Sequence, residues 1–225
     1  MSPGLTLALD GSTYAGSVAL IRDRDVIAER QLASVPHPGK SGKAENFMPM
    51  VAECLRDGQV RPSDLARVVC GEGPGSFTSL RVAASIAKGI AVGAGIPLYA
   101  VSSLLLIVAR ERRDDGIWLA VLPAMREEVF AQQFSVERDV IREMSAARIV
   151  REQDLDREAA HPGLRVIDAA REGSTPHARG VAAIIDTIVG SESCDIDSWE
   201  PVYGRLAEAQ VKWEAAHGRP LSAAG

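Results

Sequence analysis

A glycine-rich turn, residues 71–81 with the sequence GEGPGSFTSLR, directly follows an apolar run and raises the question of phosphate binding. A Walker-type phosphate loop needs a lysine and then serine or threonine after its glycines, whereas residues 76–78 here read Ser-Phe-Thr. A dinucleotide-binding turn needs the spacing G-x-G-x-x-G, whereas these glycines alternate. The pattern therefore predicts a strand-to-helix turn in which glycine permits positive φ and Ser76 or Thr78 caps the first helical N–H groups.

Histidine and cysteine offer little for metal binding or covalent catalysis. The four histidines are His37, His161, His177 and His217, and no two of them lie one helical turn apart, the spacing that a metal-binding pair on a helix needs. His177, next to Pro176, is predicted to be a surface or helix-capping residue. Cys54 and Cys70 lie in apolar runs, where a thiol behaves as a small hydrophobic side chain. Neither a G-x-S-x-G turn nor an H-E-x-x-H pair occurs, so we assign no catalytic residue.

Composition is that of a folded soluble protein. Of the 225 residues, 46% are hydrophobic and 24% are charged, and no uninterrupted apolar segment reaches the ~18 residues of a membrane span. The start MSPGLTLALDG lacks a secretory pattern and the three cysteines are too few for a disulfide framework, so we expect a cytoplasmic protein. The net charge of −5 disfavours unaided binding to a nucleic-acid backbone, which requires lysine and arginine.

The elements that must position these residues follow a mixed α/β order. Apolar periodicity predicts strands at 5–10, 16–21, 26–32, 67–70 and 98–101, and helices at 43–56 and 78–93. Gly58 is expected to close the first helix in a left-handed conformation. A second unit is predicted to contain helices at 102–113 and 177–189 and strands at 117–122, 128–134 and 165–167, with 139–149 ambiguous. We divide the chain into residues 1–105 and 106–225.

The helix at 78–93 is rich in small side chains. Ser85, Gly89 and Gly93 recur every four residues, although each interior glycine costs roughly 1 kcal/mol relative to alanine. Such a stripe allows another backbone to approach closely. Packing against the chain's own sheet and pairing with a helix of another molecule are both consistent with the pattern.

Several motifs occur in the order typical of the TsaB (YeaZ) family, the bacterial partner proteins of tRNA threonylcarbamoylation. The segment GPGSFTSLRV resembles the family's GPGSFTGLRI turn, and LALDGSTYAGSVAL resembles its opening strand and hairpin. AENFMPMVAECL is similar to its first long helix, PLYAVSSL to its P-x-x-x-V-S-[ST]-L stretch, and EPVYGR to its tail motif P-x-Y-x-R. The sequence is therefore identified as a member of this family.

Three positions depart from the family pattern. Ser79 stands where glycine commonly follows GPGSFT, a change that the first turn of a helix should tolerate. Residues 122–125 read Leu-Pro-Ala-Met where the family often has I-D-A-R, which removes a carboxylate and moves the arginine to Arg126. The histidine that often precedes the first helix is absent around Lys43. Roles that rest on that acid or that histidine are not carried over.

The resemblance implies an actin-like (ASKHA) α/β fold of two sub-domains, the second of them reduced. It also implies that the first hairpin, through Asp10, Ser12 and Thr13, contacts a nucleotide phosphate, with Asp10 able to hold Mg²⁺ through water. The favoured interpretation of the same residues is a simple Asx-type turn, because short polar residues are the default in hairpin turns. We expect no cofactor on the isolated chain. ATP or ADP with Mg²⁺ is expected only in the complex with its partners.

By the same resemblance, the chain is a non-catalytic partner of a TsaD-type transferase and forms a homodimer when alone. The implied interface residues are Phe47, Met50, Val51, Cys54, Ser76, Phe77, Leu80, Arg81, Ala84, Ser85 and Gly89. Arg81 is unfavourably placed relative to the helix dipole, so we expect it to meet a partner carboxylate or phosphate. A TsaE-type ATPase is the further expected partner, and tRNA contact is expected only through the complex.

Two other functions remain as alternatives. An actin-like ATPase or kinase predicts ATP binding by the isolated chain and a second phosphate-binding hairpin. A glycoprotease-type peptidase predicts a nucleophile, and the sequence offers no candidate for one.

Overall fold

The computed structural model describes residues 4–32, 47–111, 113–125 and 127–204. Within these residues the chain forms two five-stranded β-sheets with helices packed against them. No helix in this part of the chain is long and apolar enough to cross a membrane.

The first sheet, sheet A, contains the strands β1 (Leu5–Asp10), β2 (Ser17–Arg22), β3 (Asp25–Gln31), β4 (Leu65–Gly71) and β5 (Leu98–Val101), in the order β3-β2-β1-β4-β5. β1, β2 and β3 form an antiparallel meander, whereas β4 and β5 run parallel to β1. β1 and β4 lie inside the sheet and are almost continuously apolar, because both of their faces are covered.

Helices cover both faces of sheet A. On one face lie α1 (Phe47–Asp57) and α2 (Phe77–Ala94), whose apolar sides pack on alternate residues of β1, β2 and β4. On the other face lie α3 (Ser103–Ala109) and α6 (Val181–Val189). One side of α2 therefore packs on the sheet, and its other side faces solvent.

The second sheet, sheet B, contains β6 (Gly116–Pro123), β7 (Glu128–Glu137), β8 (Val140–Glu143), β9 (Arg148–Arg151) and β10 (Leu164–Asp168). Its order is β10-β6-β7-β8, with β9 also paired to β7. Two short helices follow its strands, α4 (Glu152–Ala159) and α5 (Ala169–Glu172). Leu155 of α4 is buried against sheet B.

Helix α3 joins the cores of the two sheets. Leu104 and Ile107 pack with residues of sheet B, whereas Leu106 packs with residues of sheet A. The predicted division between residues 105 and 106 therefore falls inside a helix that serves both sheets. Helix α6, the last helix of the described residues, also packs on sheet A, although the sequence division places it in the second unit.

Most predicted elements are present, with differences at their ends. β1 and β5 have the predicted bounds, and the ambiguous stretch 139–149 forms β8 and leads into β9. Helices α4 and α5 were not predicted, because both are short and α4 is mostly charged. The predicted start of α1 at residue 43 lies outside the described residues.

The end of α1 differs from the prediction in its left-handed residue. Gln59, not Gly58, has positive φ (55°). Gly58 instead makes room for Leu20, because a Cβ atom at residue 58 would lie 2.4 Å from Leu20 Cδ2 and this buried side chain would have to shift.

Candidate partner-binding surface

The glycine-rich turn before α2 packs directly against the first hairpin. A Cβ atom at Gly71 would lie 2.0 Å from Asp10 Oδ2, and one at Gly75 would lie 2.1 Å from the Ser12 carbonyl oxygen. Gly73 has φ +100°, which favours glycine for conformational reasons. The turn therefore uses glycine for close backbone approach, as well as for the positive φ predicted from sequence.

Ser76 occupies the N-cap position of α2 without making the predicted capping bond. Its side chain accepts no backbone N–H of the first turn, and its Oγ instead hydrogen-bonds the Ser79 Oγ at 3.2 Å. The backbone N–H of Ser76 donates to the Ser12 carbonyl at 2.7 Å. Ser79, the departure from the family pattern, is buried in this first turn and has a partner there, so the helix tolerates it.

Helix α2 has two distinct faces. Its buried face, formed by Ser79, Leu80, Ala83, Ala84, Ala87 and Ala91, lies toward the sheet. The stripe of Ser85, Gly89 and Gly93 is exposed, and a Cβ atom at either glycine would meet nothing within 4 Å among the described residues. Val92, beside this stripe, is 65% exposed. Of the two interpretations of the small residues, packing on the chain's own sheet is therefore wrong for this stripe.

The predicted interface residues divide between the core and the surface. Six are buried within the chain, namely Phe47, Met50, Val51, Cys54, Leu80 and Ala84. The ring of Phe47 fills the space above Gly16, where a Cβ atom would lie 2.3 Å from Phe47 Cζ. The other five, Ser76, Phe77, Arg81, Ser85 and Gly89, are exposed or partly exposed. The five exposed or partly exposed residues can therefore contact a partner directly, whereas the six buried residues pack inside the chain and support the helices.

The C-terminal segment borders the same face of α2. The rings of Tyr203 and Phe77 pack in a tilted arrangement with centroids 4.4 Å apart, and the guanidinium of Arg81 lies 5.1 Å from the Phe77 centroid. Farther along, the ammonium group of Lys88 lies 5.7 Å from the Trp199 ring. Sequence reasoning did not include Tyr203 and Trp199 among the site residues, although the P-x-Y-x-R motif marked this segment. Arg205 of that motif lies outside the described residues.

Comparison with known proteins agrees with this architecture. Residues 25–186 match the family model described as "TsaD: tRNA N6-adenosine threonylcarbamoyltransferase". The chain is 28% identical over 227 residues to the tRNA threonylcarbamoyladenosine biosynthesis protein TsaB of Bacillus subtilis, covering 92% of this chain and 96% of that protein. It is 33% identical over 137 residues to TsaB of Escherichia coli, covering 60% and 57%. The chain belongs to the TsaD family, in its TsaB (YeaZ) branch.

Solved structures agree on the fold. YeaZ from Pseudomonas aeruginosa superposes with a TM-score of 0.73 at 22% identity, covering 89% of this chain and 99% of that chain. A second structure, described as an uncharacterized protein with similarity to peptidase YeaZ from Pseudomonas aeruginosa, gives a TM-score of 0.74 at 22% identity, covering 90% and 100%. The two-sheet α/β structure is thus the predicted actin-like fold of two sub-domains.

In this TsaB-type chain, the residues predicted to contact a nucleotide phosphate form a closed turn. The Ser12 N–H and Ser12 Oγ donate to Asp10 Oδ1 at 3.1 and 2.6 Å, which is the Asx-type geometry. Ser103 Oγ donates to Asp10 Oδ2 at 2.6 Å. Thr13 Oγ1 accepts the Ala15 N–H at 3.2 Å. Asp10 and Ser12 are buried, so the residues present do not fit an open site for Mg²⁺ or phosphate.

Cys54, Cys70 and His177 of this TsaB-type chain are buried, and burial shifts their pKa values. No group of three or more His, Cys, Asp or Glu side chains in the described part of the chain could hold a metal ion. Burial raises the pKa of Cys54 to about 11 and raises the pKa of Cys70 further, so neither thiol is an activated nucleophile. His177 is buried, and its Nδ1 accepts the Arg179 N–H at 3.1 Å. The capping prediction for His177 is confirmed, and the surface prediction is wrong.

Proposed function

We propose that this chain is the non-catalytic partner of a TsaD-type threonylcarbamoyl transferase. In that role it is required for threonylcarbamoylation of the adenosine next to the anticodon in tRNAs that read ANN codons. Membership of the TsaB branch supports this proposal, because relatives of the chain carry the name tRNA threonylcarbamoyladenosine biosynthesis protein. The structural observation that supports it most is the exposed small-residue stripe of α2.

The stripe has the properties of a helix-docking surface. Gly89 and Gly93 face open space, so a partner backbone can approach α2 closely without displacing any side chain. Two interior glycines lower the stability of an isolated helix by roughly 1 kcal/mol each relative to alanine, and within the described part of the chain no close contact at either glycine offsets this cost. Burying Val92 beside them would contribute ~1.5–3 kcal/mol to the complex.

Arg81 supplies the charged contact of this surface. Its side chain is exposed and stacks on Phe77 at the N-terminal end of α2. A cation there is repelled by the positive end of the helix dipole, so a carboxylate or phosphate of the complex would stabilise it. We expect this residue to set the orientation of the docked helices.

The remaining members of the proposed system follow from the same role. A TsaE-type ATPase and ATP or ADP with Mg²⁺ belong to the complex, and the chain alone pairs with a second copy through the α2 surface. With a net charge of −5 it reaches tRNA through its partners. The chain works in the compartment where the tRNA is modified, the cytoplasm.

A single substitution on the stripe tests the docking surface. Gly89→Leu places a large side chain where the folded chain has free space, so the fold should remain intact while partner docking is blocked. Ala183→Leu is the matched control, because Ala183 is an exposed small residue on α6, on the opposite face of sheet A. Circular dichroism establishes folding and co-elution with the transferase measures docking.

The same variants enter a reconstitution with tRNA, threonylcarbamoyl-adenylate, the transferase and the ATPase. We expect modified adenosine with the wild type and Ala183→Leu, and none with Gly89→Leu or without the chain. A folded Gly89→Leu variant that docks normally would remove the stripe from the interface. Modification that proceeds without the chain would overturn the partner role and favour an actin-like ATPase.

A further inference from the structure

We propose that Asp10 and Ser103 are positioning residues that hold the start of α2, the helix on which the proposed function rests. In this proposal the first hairpin is a structural latch and takes no nucleotide phosphate or Mg²⁺. Hydrogen bonds and close contacts join three separate elements of the chain at Asp10.

The carboxylate of Asp10 connects the end of β1 with the loop before α2 and with the start of α3. Asp10 Oδ2 accepts the Ser103 hydroxyl at 2.6 Å, and Ser103 Oγ in turn accepts the Gly73 N–H at 3.0 Å. Asp10 Oδ1 accepts both donors of Ser12. Each carboxylate oxygen thus has a protein donor, and the Asp10 side chain is 0% exposed.

A second layer of backbone contacts closes the hairpin onto the same loop. The Ser76 N–H donates to the Ser12 carbonyl at 2.7 Å, and the Ser103 N–H donates to the Gly73 carbonyl at 2.9 Å. A Cβ atom at Gly11 would lie 2.4 Å from the Ser79 carbonyl oxygen. At Gly11 there is no room for even one added carbon atom between the hairpin and α2, so a phosphate group placed at that point would displace the helix.

The hydrogen bonds of the latch require an acceptor at each of the two side-chain oxygen positions of Asp10. An ionised carboxylate only accepts hydrogen bonds, so it can receive Ser12 and Ser103 together. Asparagine would present an NH₂ group to one of them and leave a hydroxyl hydrogen without an acceptor. Burial raises the pKa of Asp10, and the hydrogen bonds from Ser103 and Ser12 oppose that rise. The serines thereby stabilise the form of Asp10 that the latch needs.

The first test measures hydrogen exchange of backbone amides, which does not depend on any partner. In Asp10→Ala, we expect the protection of the Gly73 and Ser76 amides to fall at least about tenfold, the size of a local opening change of ~1.4 kcal/mol. The amides of β6 should exchange as in the wild type. Asp10→Asn keeps part of the hydrogen-bond network. The protection of its Gly73 and Ser76 amides should therefore lie between that of the wild type and that of Asp10→Ala.

Asp168→Ala is the matched control for this test. Asp168 also accepts backbone N–H groups, those of Ala170 and Arg171, but it lies in sheet B. Its loss should leave Gly73 and Ser76 protected. Equal loss of protection throughout the chain in Asp10→Ala, or no loss at Gly73 and Ser76, would overturn the latch.

The second test measures affinity for the TsaD-type partner. We expect Asp10→Ala and Ser103→Ala to weaken binding at least about tenfold and Asp168→Ala to leave it unchanged. Wild-type affinity in a variant whose Gly73 and Ser76 amides have lost protection would refute the positioning role. If the wild type itself does not bind, the proposed function fails, while the exchange experiment still decides the latch.

A titration of the wild type with ATP and Mg²⁺ completes the test. The latch predicts no heat of binding and no change in the midpoint of thermal unfolding. Mg²⁺-dependent nucleotide binding that Asp10→Asn abolishes would refute the latch and restore the phosphate site.

Discussion

Replacing His177 by asparagine should remove a large part of the chain's sensitivity to acid. The buried imidazole accepts the Arg179 N–H through Nδ1 and therefore caps the 3₁₀ turn Ala178–Gly180 that leads into α6. Asparagine is also a good N-cap acceptor but has no proton to gain in this range. The variant thus separates the titration of residue 177 from its hydrogen bond.

The magnitude follows from the environment of the ring. Burial lowers the pKa of His177 from 6.5 to about 4; Glu29 on β3 opposes this, and Arg110 and Arg179 reinforce it. The unfolded chain therefore binds a proton at a higher pH than the folded chain. The neutral imidazole of His177 therefore contributes its full stabilisation above pH 6.5, and this stabilisation is lost as the pH falls toward 4. At ~1.4 kcal/mol per pH unit, the total is about 3 kcal/mol.

The assay is urea unfolding of the wild type and His177→Asn at pH values from about 7.5 to about 4. The difference between the two profiles isolates the imidazole, since buried carboxyl groups such as Asp10 titrate in both proteins. We expect the free energy of unfolding of the wild type to fall more steeply, by up to about 3 kcal/mol over the range. His161→Asn, at an exposed histidine in the turn between α4 and β10, is the control. Parallel profiles for the wild type and His177→Asn would refute the reasoning.

Three further substitutions test the packing around α2. Gly89→Ala should stabilise the isolated chain against urea by about 1 kcal/mol, because helix propensity rises and the new methyl group meets nothing; a loss of stability would contradict this. Gly71→Ala should destabilise it by about 1–3 kcal/mol, because the added carbon would lie 2.0 Å from Asp10 Oδ2, and an unchanged unfolding midpoint would show that the turn relaxes freely. Phe47→Ala should lower the free energy of unfolding by about 3–5 kcal/mol, since Phe47 is 1% exposed. Phe77→Ala, at a partly exposed ring, should lower it clearly less in the same assay.

Local sequence patterns predicted the elements of sheet A well. β1 and β5 alternate or run apolar between turn residues, and α2 has both a helical period and a glycine, Gly95, at its left-handed C-terminal end. Five short motifs in the expected order, of which the GPGSFT turn is the most specific, were enough to predict the family. The short helices α4 and α5 were missed because α4 is mostly charged with a single buried residue, Leu155, and α5 has only four residues, so neither shows an apolar helical period.

The sequence by itself determined the α/β class, the family and the presence of a small-residue stripe on one helix, because these depend on residues close together in the chain. Only the tertiary structure decided which face of α2 is exposed and that Phe47 belongs to the core. Only the tertiary structure showed that the hairpin at Asp10 is closed, because its partner Ser103 lies 93 residues away. Apolar periodicity indicates that a helix has two different faces. Which of them packs on the sheet depends on contacts between segments that are distant in the sequence.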